Sequence, residues 1–270
     1  MIHPATQAAE TLAAGLPDLV LAAERLAFAV SPGHHQRRRA GPGTSFWQFR
    51  EWQHGDDSRA IDWRRSAQGD RLFLRQREAE AQAGFALVLE DTPTLDYSSH
   101  PAHPTKRDRA GLLLLALAAL LLRAGERVAL AGRTPPLAGR NSLVLLAATL
   151  GSPQNTATDP QARHIRFGDY LTPVPAFTAP QGGAILHILD PAECDFPFTG
   201  RVIFTGLSGE APFETTDAAA LAVSYRARIA AQRQAVINAA RSAGQTALFH
   251  RTDHAPALAL SALYQSLRAE

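Results

Sequence analysis

A chain of 270 residues fits one large α/β domain with an extension, or two small domains. Hydrophobic residues make up 46%, which excludes a disordered chain, and a net charge of +2 supplies no global field for nucleic acid or an anionic membrane. Cys194 is the only cysteine, which excludes an internal disulfide and a CxxC zinc site and fits a reducing, cytoplasmic setting. The pI near 9.0 reflects arginine, because Lys106 is the only lysine. The first residues, MIHPATQAAE, lack a cationic start and a clean apolar run, so no export signal is expected.

In chain order, residues 16–30 read as a helix with Asp18 and Glu24 exposed among Leu and Ala. SPGHHQRRRAGPG follows as a turn-rich basic loop carrying His34, His35, Arg37, Arg38 and Arg39. Residues 44–77 are dense in charge and aromatics. Gly55-Asp56-Asp57 marks a turn, and the alternation over 71–77 predicts a strand with Leu72 and Leu74 facing inward. From residue 85 the texture becomes short apolar strands alternating with helices. Strands are expected at 85–90, 127–131, 164–167, 184–189, 201–205 and 247–250, and helices at about 141–150, 216–243 and 256–268. The apolar run 110–122 reaches only about 20 Å as a helix, short of the roughly 20 residues that span a bilayer. It reads as a core helix, opened by Thr105 and Asp108 as a capping pair and closed by Gly125.

This order predicts an α/β fold with a doubly wound, mostly parallel sheet, the 85–90 strand at its centre, preceded by an N-terminal helix and a charged β extension. The division expected is 1–84 for helix, basic loop and charged segment, and 85–270 for the sheet domain. Ligands of such sheets sit beyond the carboxyl ends of strands at the switch in strand order, and LVLEDTPTL and IRFGDYL end there.

The stretch FWQFREWQHGDDSRAIDWRRSAQGDRLFLRQRE resembles the signature of the domain of unknown function 58 family. Arg50, Gly55, Asp56, Asp57, Arg59, Ile61, Asp62, Trp63, Ser66 and Ala67 match its pattern, with Trp52 for the usual Tyr and Gln68 for the usual Arg. The likeness continues through GERVALAG, ILDPAECDFPFTGRVIF and LFHRTD. It implies a von Willebrand factor A-like fold in a subgroup without membrane helices. It also implies no established catalysis, and a protein partner of the MoxR-type AAA+ ATPase class. In that fold a strand-end D-x-S-x-S loop and a later Asp hold Mg²⁺. Here the loop becomes Glu90, Thr92 and Thr94, with Asp169 as the later acid and Asp91 and Asp96 nearby; Asn141 and Ser142 stand where a third-loop Thr belongs. The longer Glu arm and the stiffening Pro93 degrade an octahedral shell, so the resemblance implies no cation or a weak one: Mg²⁺, Mn²⁺ or Ca²⁺.

Asp56, Asp57 and Asp62 lie close in sequence to Arg50, Arg59, Arg64 and Arg65, a set that reads either as a scaffold of arginine–carboxylate forks or as a recognition surface. As a scaffold it would bury Asp62 and Trp63. His250, Asp253 and His254 read as a strand-to-helix turn, with Asp253 free to cap the next helix, or as an acid–base cluster. No P-loop, G-x-S-x-G, H-E-x-x-H or G-x-G-x-x-G occurs. The functional expectation is a cytoplasmic, non-enzymatic protein-binding adaptor, serving the assembly or maturation of another complex. A metal-dependent hydrolase using Glu90 and Asp169, and nucleic-acid binding through the arginine loop, are the alternatives.

Overall fold

The computed structural model describes residues 4–30, 46–51, 61–67, 69, 71–77, 84–155, 158–171, 174–177 and 181–269. They divide into two compact units, residues 32–82 and the rest. The N-terminal helix groups with the sheet, and its buried Ala23 and Ala27 sit in the main core.

In the larger unit five parallel strands build the sheet: β3 (Phe85–Leu89), β4 (Val128–Leu130), β5 (Arg163–Gly168), β6 (Gly183–Leu189) and β9 (Gln245–Arg251), in the order β4-β3-β5-β6-β9. The strand expected at the centre, Phe85–Leu89, is second from one edge, and Arg163–Gly168 is central. Phe85–Leu89 is apolar throughout whereas Arg163–Gly168 carries Arg163, His164 and Arg166, so composition favours the wrong strand; the crossovers decide which is central. β6 is buried at every residue, as a parallel interior strand must be. Its Ala184, Leu186 and Ile188 join one core, while Ile185 points into another.

The first core is covered by α1 (Pro4–Val30), α3 (Lys106–Arg123), α4 (Ser142–Thr149) and α7 (Pro256–Ala269). The second is covered by α6 (Ala222–Ser242), through Val236 and Ala240. α3 is buried from Ala110 to Leu122 apart from Leu112. No helix among the described residues is long and apolar enough to cross a membrane. Thr105 caps α3, accepting from Asp108 N at 3.0 Å and donating to its carboxylate at 2.8 Å. The helix ends in a Schellman turn, with Glu126 N–H on Leu121 O and Gly125 N–H on Leu122 O, and Gly125 at φ +87°. α1 runs through Pro17, where a start was expected.

Residues 201–205 do not enter the main sheet: β7 (Val202–Phe204) pairs antiparallel with β8 (Phe213–Thr215) as a separate ribbon. Ile203 and Phe213 on that ribbon are exposed, so its apolar run serves no sheet core. In the smaller unit β1 (Phe46–Glu51) pairs antiparallel with β2 (Phe73–Arg77), flanking α2 (Trp63–Ser66). Leu72 precedes β2 and is exposed, contrary to the inward position expected; the side chain of Leu74 lies outside the described residues.

The sheet places the site. From β3 the chain moves outward to β4, then returns to the other side of β3 as β5 and continues outward to β6 and β9. The order therefore reverses between β3 and β5, and the crevice beyond their carboxyl ends is the ligand position of such folds.

Two glycines test this frame. Gly183 opens β6 at φ +136°, and a Cβ there would fall 2.0 Å from the carbonyl oxygen of His164 on β5. Gly125 has open space around it and only a positive φ to satisfy. Gly125→Ala should cost about 1 kcal/mol, and Gly183→Ala on the order of 4 kcal/mol or more, because backbone must move. Urea unfolding of both variants measures this; equal losses would contradict the β5–β6 register.

Candidate functional site

Three strand ends and one helix start meet at the crevice. Glu90 follows β3 and keeps the sheet pattern for one more residue, its N–H donating to Phe167 O at 2.9 Å. Pro93 then begins a 3₁₀ turn, Pro93–Asp96, which carries the loop across the crevice. Asp169 follows β5 and is buried. Thr92 Oγ1 lies 3.5 Å from Asp169 Oδ1, a long contact, and Thr94 Oγ1 donates to Thr92 Oγ1 at 3.2 Å. Thr92, Thr94 and Asp169 are thus brought together, as expected. Glu90 stands beside them, half-buried, with Arg166 4.0 Å from its carboxylate. Burial raises the Glu90 pKa above the ordinary range; Arg166 opposes this and Asp169 adds to it. Gly168 makes the approach possible, since a Cβ there would fall 2.6 Å from Glu90 Cγ and 3.1 Å from the Tyr170 ring.

The remaining loop acids face away from this point. Arg107 donates to Asp96 at 2.5 Å, to Asp91 at 3.3 Å and to Thr92 O at 3.0 Å. One guanidinium therefore neutralises both acids and holds the loop. Ser142 donates to Ala138 O in its own turn, and Asn141 precedes α4 without a side-chain capping bond.

Two residues to which the sequence assigned no role dominate the site. Lys106, the first residue of α3, is fully buried. Its Nζ donates to Asp169 Oδ2 at 2.9 Å and to Glu193 Oε1 at 2.5 Å. Glu193 belongs to α5 (Pro191–Asp195), the short helix after β6. It is fixed by a capping box: Asp190 N–H donates to Glu193 Oε2 at 2.8 Å, and the Asp190 carboxylate accepts from Ala192 N and Ser99 N. Burial raises the Glu193 pKa, and Lys106 opposes that shift. An ammonium at a helix N-terminus also opposes the helix dipole, typically by about 0.3–1 kcal/mol. The two carboxylates offset both penalties. Sequence signals for this pair existed. Lys106 is the single lysine of an arginine-rich chain, directly after a capping Thr, and D-P-A-E after a buried strand is a helix-start pattern.

His187, on β6, lies under the same site between Tyr170 and Phe249, with ring centroids 5.7 and 5.4 Å away. Burial lowers its pKa to about 4 against the pull of Asp169, so it is neutral near pH 7. The Tyr170 hydroxyl is buried and has no hydrogen-bond partner among the described residues, and the residue takes a left-handed φ of +44°.

Asp62 caps α2, accepting from Arg65 N at 3.0 Å, so its expected pairing with backbone amides holds. It is only half-buried, and a capping role is worth about 1 kcal/mol rather than the larger cost of a broken buried ion pair. Trp63 is 65% exposed, contrary to the burial expected, because the first residue of a one-turn helix faces outward here. The inward members are Ile61 and Ser66, whose hydroxyl accepts from Phe73 N and donates to Asp62 O. Arg64 is exposed. Gly55, Asp56, Asp57, Arg59 and the arginine loop lie outside the described residues, as does the Arg50 side chain. His250 is buried in β9, with burial lowering its pKa to about 4. Asp253 takes a fork from Arg251, which also pairs with Asp195, in place of the expected helix cap.

Beside the crevice opens a cleft of about 770 Å³. Thr94, Tyr97 and Glu193 form its inner wall. Phe196, Phe198, Phe204 and Tyr225 cluster in it, with Phe196–Tyr225 centroids 4.6 Å apart and tilted, and Phe198–Phe204 5.2 Å apart and edge-on. Ile203, Leu207 and Phe213 of the ribbon stand exposed at its mouth.

Residues 48–171 match the family described as "Protein of unknown function DUF58". Uncharacterized proteins of Mycobacterium bovis and Mycobacterium tuberculosis are 26% identical over 272 residues, covering 90% of this chain and 85% of each relative. No solved structure matches.

A histidine with a depressed pKa binds its proton more readily unfolded than folded, so it contributes stability above its unfolded value of 6.5 that is lost as pH falls towards 4. The raised Glu90 and Glu193 act in the opposite sense, so the comparison must be by difference. His187→Phe should lose less melting temperature than wild type between pH 6.5 and 4, by thermal unfolding across that range. Parallel profiles would show that the folded state does not depress the His187 pKa.

Proposed function

We propose that this chain, which carries a DUF58 domain over residues 48–171, is a cytoplasmic, non-enzymatic protein-binding adaptor. Its partner is an AAA+ ATPase of the MoxR type, and its work is the assembly or maturation of another complex. The ATPase class and the von Willebrand factor A-like reading of the sheet rest on the sequence resemblance. The observation that carries the adaptor reading is the aromatic cleft with its apolar mouth. A ribbon that holds Ile203, Leu207 and Phe213 in water, at 48–60% exposure, has no folding reason to do so. Aromatic-lined recesses of this kind take the anchoring side chains of a partner. The sheet-end loop reaches the same cleft through Thr94 and Tyr97, so loop and cleft form one contact surface.

The alternatives have less support. A metal-dependent hydrolase would need Asp169, whose two oxygens already face Lys106 and Thr92. It would also need a general base, and His187 is buried below the sheet edge. For nucleic acid, the arginine loop lies outside the described residues, and the net charge of +2 gives little attraction.

The test is calorimetric binding to the MoxR-type ATPase encoded in the same genome, with wild type and an Ile203→Asp/Phe213→Asp variant. Both positions are exposed, so the fold should hold. The variant should keep its melting temperature and lose at least about tenfold in affinity. Equal binding by both proteins, or no binding by wild type, would overturn the reading. Hydrolysis of phosphate or peptide esters that disappears in Asp169→Asn would replace it with the hydrolase.

A further inference from the structure

We infer that the Lys106 ammonium is a tethered replacement for the cation at the switch-point crevice, so that the site is assembled and charge-balanced without metal. In the fold this chain resembles, a divalent ion sits between the strand-end loop and the later Asp, and the geometry shows what stands at that point here. Asp169 offers Oδ1 towards Thr92 and Oδ2 to Lys106 Nζ at 2.9 Å. The Nζ lies within bonding distance of a second carboxylate, Glu193, at 2.5 Å, and the lysine is wholly shielded from water. It also sits 5.7 Å from the Tyr97 ring, another electron-rich partner. Carboxylates from two strand ends and an aromatic face thus converge on one positive charge, as they would on a metal ion.

The donor set left over does not suit a second cation. Among the described residues no group of three His, Cys, Asp or Glu side chains is arranged to hold a metal. Asp91 and Asp96, the other loop acids, are bound by Arg107. A divalent ion on Asp169 would sit a few ångströms from a buried ammonium, where low dielectric magnifies like-charge repulsion. An ammonium offers three donors and tolerates irregular surroundings, whereas Mg²⁺ requires near-octahedral oxygens. The longer Glu90 and the unmatched third loop then carry no penalty, because no octahedron has to be completed. Where a metal-held site loads and unloads its ion, this one is permanently filled by covalent attachment to α3. The inference is independent of which partner binds the cleft.

The experiment uses the full chain after chelator treatment. Wild type, Lys106→Met and Lys106→Met/Glu193→Gln are each titrated with Mg²⁺, Mn²⁺ and Ca²⁺, by calorimetry and by thermal unfolding. The double variant removes one charge of each sign and retains Asp169, Thr92, Thr94 and Glu90. Wild type should show no heat of binding and no shift in melting temperature at millimolar cation. Both variants should melt lower, and at least one cation should raise their melting temperatures and bind at least about tenfold tighter than to wild type. A merely structural lysine would destabilise on removal without creating a cation response. If a variant folds only when a cation is present, the inference stands. Cation binding by wild type that is lost in Asp169→Asn overturns it. So does the absence of any cation response in a folded variant, or failure of both variants to fold in every cation.

Discussion

A buried ammonium has to be paired, and the pairing of Lys106 with Asp169 and Glu193 organises the whole carboxyl edge of the sheet. The three residues come from the start of α3, the end of β5 and the helix after β6, elements far apart in the chain. Leaving either carboxylate unmatched, or the lysine alone, would cost on the order of 3–5 kcal/mol. The N-terminus of α3 is therefore clamped to two strand ends. α3 is in turn the most buried helix of the core, so the leucines from 113 to 122 are held in register with the sheet by a polar contact at one end. Arg107, the next residue, clamps the β3 loop on the adjacent side. One turn of helix thus sets the geometry of the crevice, and the loop threonines follow from it.

The fold was legible because its signals are local and repeated. The strands at 85–90, 164–167 and 184–189, the Thr105 cap and the Gly125 stop each depend on neighbours within a few residues, and each appears where expected. What was not legible is pairwise and long-range. Which strand is central depends on crossovers, and the place expected for Phe85–Leu89 falls to Arg163–Gly168. The ribbon at Val202–Phe204 reads as a core strand because its residues are apolar, and only the absence of a partner in the sheet shows otherwise. Trp63 failed for a similar reason: a large aromatic in a dense motif implies burial, but a four-residue helix has too little surface to bury both of its sides.

The candidate site divides the same way. Thr92, Thr94 and Asp169 could be found because two segments end adjacent strands. Lys106 could not be assigned by that logic, since it lies 63 residues from Asp169 and 87 from Glu193. Its singularity was visible, its role was not. A lone lysine among arginines is explicable once the space is known. An ammonium is compact and can make bonds to two carboxylates from inside a closed pocket, whereas a planar guanidinium needs a wider slot.

The crevice and the cleft are not separate features. Glu193 presents one oxygen to Lys106 and lines the cleft, and Tyr97 faces Lys106 with its ring while forming the cleft wall beside Thr94. Phe196, three residues after Glu193, enters the aromatic cluster in a left-handed conformation at φ +46°, a posture a bulky residue adopts only when its surroundings impose it. The capping box that aims Glu193 at the lysine therefore also sets where Phe196 stands. A ligand that displaces the aromatic cluster moves a chain whose other end holds a buried charge, and movement there is resisted by the full strength of the pairing. The cleft is in this way a rigid surface in the part nearest the sheet. Its outer wall, the two-stranded ribbon, has only three residues in each strand and exposed side chains at 203 and 213. A short ribbon of that size gains little from its own pairing. On the proposed adaptor reading, the inner wall tied to the buried triad would set the position of an apolar side chain from the partner, and the short ribbon would supply the fit.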